Sequence, residues 1–406
     1  MTDRLDGSLL LDPEVIDNPY SFYEALRNKA PVWRVPERDV FVVSTFNLVT
    51  EATRRVEDFS SNMRALLYRD DEGLPSPFAF GDIGVDALAT ADPPIHKLHR
   101  DVVFSELVAN RMATLESAIE DMAFDCISRA TELGRIEFMA TVGNMIPIRI
   151  VSQLIGFPGD DADRLLAAAF DSTSLLGASL SLPELERLVG RIGDIEAWIA
   201  EQLAISAAEP RDDILGAVAR GLEGGVLSEH QACVILHTLL SAGGESTSSL
   251  LGNAVRMLAE DQTLQAHLRE NTELVPAFIE EALRLESPFR FLLRSVPRTT
   301  SLGGVKVPEG STVLLFWGAA NRDSEVFERP DQIDLGRPVP RRHVAFGRGI
   351  HHCVGAPLAR IEARIVLTSL LRLTSEFSLD EACAPEWVLS LMVRRHQSLP
   401  ISMVPR

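Results

Sequence analysis

No disulfide framework can be read in the 406 residues: the four cysteines, Cys126, Cys233, Cys353 and Cys383, lie far apart and form no CxxC pair. That spacing argues against a disulfide scaffold and against a cysteine-rich zinc module. Positive charge is also scarce. Lys and Arg number 39 against 58 Asp and Glu, a net charge of −19, so the long-range field repels nucleic acid and anionic membrane surfaces and leaves room only for a local basic patch. Residues 1–22 carry Asp3, Asp6, Asp12, Glu14 and Asp17 and contain no apolar run long enough for a signal peptide or a membrane-spanning helix. A cytoplasmic protein without a membrane anchor is expected. Repeats, low-complexity tracts and long linkers are missing as well, which argues against several independent domains.

What is present suits a compact globule, with 46% hydrophobic and 24% charged residues. YSFYEALRNKAP reads as a helix, followed by strands at PVWRV and VFVVS. Residues 63–92 read as a long loop, of the kind that often serves as a lid. Helical periodicity then dominates residues 95–286. Within it, LSEHQACVILHTLLSAGGESTSSLLGNAVRMLAED starts with a capping box, Ser228 and Gln231, and predicts a long helix through the middle of the molecule. Residues 299–317 read as strand, PEG turn, strand, and residues 322–342 as an irregular meander. A last helix should begin near Val354, and LMVRRHQSLPISM reads as closing strands. The fold class is therefore mainly α with a minor β region. The β-richer parts are 18–62, 299–317 and 386–406, and the helical parts are 95–286 and 354–376.

Chemistry concentrates in HVAFGRGIHHCVG, residues 343–355. Gly347, Gly349 and Gly355 surround Cys353 and allow positive φ or close approach of a bulky partner. Helical spacing resumes at Leu358, Ile361 and Ile365, which puts Cys353 at a helix N-terminus, where free amides and the helix dipole favour a thiolate. From these residues alone, a tight turn, a zinc site using Cys353 with His351 or His352, and a nucleophilic cysteine with His351 as base all remain open. Cys126, on the apolar stripe Leu115, Ile119, Met122, and Cys233, in an apolar run, read as packing residues, and Cys383 as incidental.

FGRGIHHCVG closely resembles the haem-binding signature of the bacterial cytochrome P450 family, with Phe346, Gly347, Gly349, His351, Cys353 and Gly355 in the expected positions. The resemblance extends from NPYSFYEALR to SLPISM. It implies the single-domain P450 fold over 1–406, a triangular helical body with a long central helix and small β-sheets, and haem b with Cys353 as the axial ligand. Thiolate ligation pushes electron density onto iron and favours O–O cleavage. Glu281 and Arg284, three apart on one helix face, match the family's Glu-x-x-Arg pair, and Arg337 its third, structural partner. ADPPIHKLHR places His96 and Arg100 four apart; with Arg294 and His351 they match the positions that hold haem propionates.

In SAGGESTSS, Gly243 and Gly244 fall mid-helix, where each costs about 1 kcal/mol relative to alanine. The resemblance implies that Ala242 and Gly243 give a flat cofactor room, although close helix packing would also explain small residues. Glu245 and Ser246 align with the family's acid and alcohol pair for proton delivery. The family more often has threonine where Ser246 stands; Thr247 follows it, so either hydroxyl could serve. AGGEST is similar to a variant found in actinobacterial relatives.

The implied activity is a monooxygenase that uses O2 to oxidise an apolar small molecule. The implied substrate contacts include Leu239, Ala242, Phe289, Phe291, Leu292, Leu391 and Met392, together with the 63–89 and 170–182 regions. With no redox segment appended, electrons come from a ferredoxin or flavodoxin and its reductase. These would dock on a basic patch of Lys97, Arg111, Arg348, His352, Arg360 and Arg364. A monomer is expected. The alternative is a non-catalytic haem-thiolate protein that binds or senses a ligand; it would keep Cys353 but would not need Glu245 and Ser246.

Overall fold

Ser228 starts the longest helix among the described residues, Glu229–Glu260. Its hydroxyl accepts from the Gln231 amide at 3.2 Å, and the Gln231 side chain accepts from the Ser228 amide at 3.0 Å, so the expected capping box forms. At 1.5 Å per residue this helix is about 48 Å long. Ile235, Leu236, Leu240, Leu250, Leu251, Ala254 and Leu258 are all buried along it, as expected of a helix that is apolar on most sides. It packs against helices Met145–Ile155, Ala162–Leu175, Leu182–Ala208 and Ala356–Leu373. The computed structural model describes residues 5–79, 86–104, 109–209 and 211–406, without the side chains of 109–114 and 160.

Gly243 and Gly244 owe their small size to that packing. A Cβ on Gly243 would lie 2.7 Å from Val151 Cγ2, and one on Gly244 would lie 3.0 Å from Ile148 Cδ1. Both contacts come from the Met145–Ile155 helix. Gly243 still borders the cavity described below, but its missing side chain faces the neighbouring helix rather than a cofactor.

The main sheet has the order Val32–Arg34, Val40–Val43, Thr312–Phe316, Phe291–Ser295. Val40–Val43 runs parallel to Thr312–Phe316, with Val40 opposite Thr312, and Phe291–Ser295 runs antiparallel, with Arg294 opposite Val313. Thr312–Phe316 is buried along its whole length, the pattern of a strand covered on both faces. A second sheet orders Thr374–Leu379, Pro400–Pro405, Arg135–Glu137. The final residues therefore pair outside the main sheet.

Two stretches of the sequence reading turn out otherwise, the 63–92 loop and the 299–317 strand pair. Ala65–Arg69 and Pro75–Ala79 pair as a hairpin, with Leu66 and Leu67 buried; Pro75 and Pro77 hid the second strand, because proline argues against one. Between Thr300 and Phe316 there are two turns. Gly303 and Gly304, both at positive φ, link Thr300–Leu302 to Val305–Val307, and the PEG turn follows.

Helix Val275–Leu285 carries Glu281 and Arg284, both fully buried. Arg284 donates to Glu281 at 2.8 and 2.9 Å, to the carbonyls of Asn321 at 3.1 Å and Gln332 at 2.8 Å, and to that of Pro330. Arg337 donates to the same carboxylate at 2.9 and 3.1 Å, and the Asp334 amide adds a contact at 2.9 Å. Glu281 thus ties the 322–342 meander to the helix, directly upstream of the cysteine loop.

Candidate active site

The cysteine loop is shaped by backbone that only glycine adopts easily. Gly347 and Gly349 have φ of +67° and +72°, and a Cβ on Gly349 would press to 3.1 Å from the Thr53 carbonyl. Gly355 differs: its φ is −82°, and an added Cβ would meet only Cys353 Sγ at 3.8 Å. The Cys353 amide closes the loop on the Phe346 carbonyl at 2.9 Å. Helix Ala356–Leu373 begins three residues after Cys353.

Cys353 faces a cavity of about 400 Å³. Cys353 is exposed to this cavity, yet the protein packed around it raises the thiol's pKa by desolvation, while the amides of Gly355 and Ala356, and then Arg100 and Arg360, pull it back only in part. The amides at the helix start favour the thiolate, as the sequence suggests, and desolvation opposes them.

Beside the thiol lies a set of donors without acceptors. Arg294, on the sheet strand, is buried, and its guanidinium is pushed down to about 10 by burial against the weak pull of Asp92. Its one recorded hydrogen bond goes to the Leu293 carbonyl at 2.7 Å. His351 Nε2 is buried with no partner; burial, then Arg294, His96 and Arg100, hold this imidazole down to about 3. The His96 and His351 rings lie 4.3 Å apart. Arg100 donates to the carbonyls of Ile350 and His352, each at 3.1 Å, so it braces the cysteine loop while bordering the cavity. Among the described residues no carboxylate forms an ion pair with any of the four.

On the central-helix wall, Ser246 and Thr247 both border the cavity, and Ser246 Oγ donates to the Ala242 carbonyl at 2.6 Å. Glu245 does not border it. Its carboxylate accepts from Arg395 Nε at 2.9 Å and from the Thr173 hydroxyl, and Arg395 lies 3.7 Å over the Phe170 ring. Burial pushes Glu245 up to about 7 against the pull of Arg395. The acid expected to deliver protons therefore does not face the cavity: Glu245 turns into protein, where Arg395 offers it a buried partner. Its link to the cavity is Thr173, which does border it.

Of the expected pocket residues, Leu239, Ala242, Phe289, Leu292 and Met392 line the cavity. Phe291 does not; it stacks on Phe316 at 5.5 Å in the core, and Leu391 packs in the same cluster. In the sheet, alternation turns Phe291 away from the face that Leu292 presents. Phe346 and Gly355 border the cavity too, and a bridge between Phe289 and Val393 joins the two pocket segments. Of the 63–89 stretch, Met63, Leu88 and Ala89 reach it, and residues 80–85 lie outside the described residues.

The expected basic patch is largely neutralised. Lys97 pairs with Asp101, Arg364 with Glu116, and Arg360 with Glu280 at 2.6 Å while covering Phe346. His352 borders the cavity, and the Arg111 side chain lies outside the described residues. Arg348 instead joins Arg54 and Arg342 around a surface hollow beside Phe46, and none of these three has an ion pair among the described residues.

Several cavity residues carried no sequence signal. The Trp317 indole N–H is buried without a partner, and Glu362, pushed up to about 8 by burial, has an orphaned carboxyl oxygen. Both border the cavity, as does His237, whereas Ser172, Thr173 and Leu176 reach it from the 170–182 region expected to contact substrate.

The family model described as Cytochrome P450 matches residues 205–383. Cytochrome P450 144 of Mycobacterium tuberculosis is 39% identical over 99% of this chain and 93% of that protein. Cytochrome P450 109 of Bacillus spizizenii is 31% identical over 88% of this chain and 84% of its own length. Among solved structures, CYP109E1 from Bacillus megaterium in complex with testosterone aligns with a TM-score of 0.85 at 29% identity, covering 96% of this chain and 99% of that one.

Proposed function

The chain belongs to the cytochrome P450 family of haem-thiolate monooxygenases, and on that premise we propose that Cys353 is the axial ligand of haem b and that the cavity oxidises an apolar small molecule. The observation that carries this reading is the cluster of donors with no carboxylate partner, Arg294, Arg100, His96 and His351, beside the only cysteine that borders the cavity among the described residues. Haem b fits these residues. Its two propionates would supply the acceptors that Arg294, His351 and Trp317 lack, with His96 and Arg100 completing the cradle.

Haem supplies O2 activation and electron storage when bound. The protein supplies protons and position. Ser246, tied to the Ala242 carbonyl, and Thr247, one residue on, present hydroxyls that orient a proton donor at the cavity wall. Glu245, poised near neutrality, gives up or takes a proton through Thr173. Glu281, Arg284 and Arg337 brace the meander beneath the cysteine loop, and the whole chain, 1–406, acts as one P450 domain.

The substrate enters between the central helix and the Phe289–Leu293 and Met392 segments, whose apolar lining suits an apolar or weakly polar molecule. The testosterone complex of the Bacillus megaterium relative supports the same class. Electrons arrive from a separate ferredoxin-type or flavodoxin-type carrier. The surface charge available to attract it lies at Arg54, Arg342 and Arg348, while the carboxylate partners of Lys97, Arg360 and Arg364 cancel most of their pull.

Measuring electrons consumed against product formed tests the assignment. Ser246→Ala should lower the product yield per electron several-fold and leave the haem spectrum intact. Full coupling in Ser246→Ala with loss in Thr247→Ala would transfer the role to Thr247, and full coupling in both would sink it.

A further inference from the structure

Most of the cavity wall is apolar, and apart from Ser246, Thr247 and a few scattered groups its polar side chains gather in two places. One is the cradle beside Cys353. The other is a short strip on the Ala162–Leu175 helix and the first half of the central helix: Ser172, Thr173, His237, Thr238 and Ser241. Apart from Thr173, the haem-binding reading gives this second group no task.

His237 is buried, and its Nε2 lies 2.6 Å from Ser172 Oγ. Its Nδ1 lies 3.5 Å from Glu196, whose side chain is partly exposed. Glu196, His237 and Ser172 thus form a chain of carboxylate, imidazole and hydroxyl that runs from near the surface to the cavity wall. It is not built as a nucleophile: Ser172 sits inside a helix and donates to the Ala168 carbonyl at 2.8 Å. With its proton placed there, and with a proton on His237 Nε2, Ser172 Oγ accepts the imidazole N–H and keeps one lone pair. It can accept from a ligand hydroxyl, or swing its own proton from Ala168 to a ligand carbonyl.

We propose that the Ser172–His237 pair is a recognition point for a hydroxyl or carbonyl oxygen on an otherwise apolar substrate, and that it sets which end of the molecule is oxidised. The inference rests on the monooxygenase reading above. His237 and Ser246 are nine residues apart on one helix, so they are separated by roughly 13 Å along its axis. A substrate anchored by its oxygen at Ser172 would present the remote, apolar end to the oxygen-activating wall. A bare hydrocarbon forgoes that hydrogen bond and covers the polar pair without replacing it.

The test uses the haem-loaded protein and matched n-alkanes and primary alkanols of rising length, with binding read from the shift of the ferric Soret band. Wild type should bind an alkanol about fivefold to tenfold more tightly than the alkane of equal length, the size of one net hydrogen bond. Ser172→Ala, which removes a single oxygen, and His237→Leu should each bring that ratio close to one, and turnover should oxidise the alkanol at the end remote from its hydroxyl. An unchanged ratio in Ser172→Ala, or equal affinity for alkane and alkanol in wild type, overturns the proposal. The carbon monoxide spectrum of each variant separates the two levels: an intact thiolate spectrum with an unchanged ratio refutes only the anchor, whereas its absence in wild type strikes the haem-thiolate reading.

Discussion

Two clusters, each centred on a buried arginine, flank the cysteine loop, and they are built in opposite ways. Around Glu281 the charges are matched: Arg284 and Arg337 share one carboxylate, and the remaining guanidinium hydrogens go to backbone carbonyls of the meander. Around His351 donors face each other with no carboxylate between them, and Arg294 has only the carbonyl of its neighbour. The first cluster is complete as it folds. The second needs an anion from outside the chain, because a buried charge without a partner costs several kcal/mol. Completeness marks the brace, and incompleteness marks the binding site.

Breaking the matched cluster should have the largest effect. Glu281→Ala strands two buried guanidinium groups and should cost about 3–5 kcal/mol, read as a lowered urea midpoint in both haem-free and haem-loaded protein. Arg294→Met should do the reverse in the haem-free protein, leaving the midpoint unchanged or higher, while haem loss speeds up roughly tenfold to a hundredfold, the worth of a charge-assisted hydrogen bond. A large loss of haem-free stability in Arg294→Met would make Arg294 another brace and erase the distinction.

Glu245 lies between the two cases, since it has a cationic partner and is still pushed up to about 7. Its folded pKa exceeds the unfolded value near 4.5, so the fold holds a proton that the unfolded chain releases. The stability this gives is present below about pH 4.5 and is lost as pH rises to about 7, on the order of 3 kcal/mol. Urea titrations across that window should show a flatter profile for Glu245→Gln than for wild type; parallel profiles would count against the raised pKa.

The smallest effect concerns the surface. Arg54→Gln and Arg342→Gln should slow reduction by an acidic carrier protein a few-fold at low salt, with the gap closing as salt rises. Lys97→Gln, whose charge Asp101 already cancels, should change little. Equal slowing in all three would restore the broader patch.

How much of this was legible in the sequence follows from how local each signal is. The cysteine loop, the Glu281 and Arg284 pair and the capping box of the central helix depend on residues close together, and each can be read directly. Arg337 and the cradle of His96, Arg100 and Arg294 became legible only through the family resemblance that aligned distant segments. Nothing local reports that Arg395, 150 residues on, turns Glu245 away from the cavity, or that Val151 and Ile148 are the reason for Gly243 and Gly244. Trp317, Glu362 and His237 escaped for the same reason. Each looks like an ordinary residue of its own element, and only the convergence of elements makes it a cavity residue.

The central claim is that Cys353, and no other residue, provides a thiolate to haem. The carbon monoxide spectrum of the ferrous protein tests it most directly. A strongly red-shifted Soret band in wild type, lost in Cys353→Ala, is the predicted result; an unshifted band in wild type, or a shifted band that survives Cys353→Ala, contradicts it.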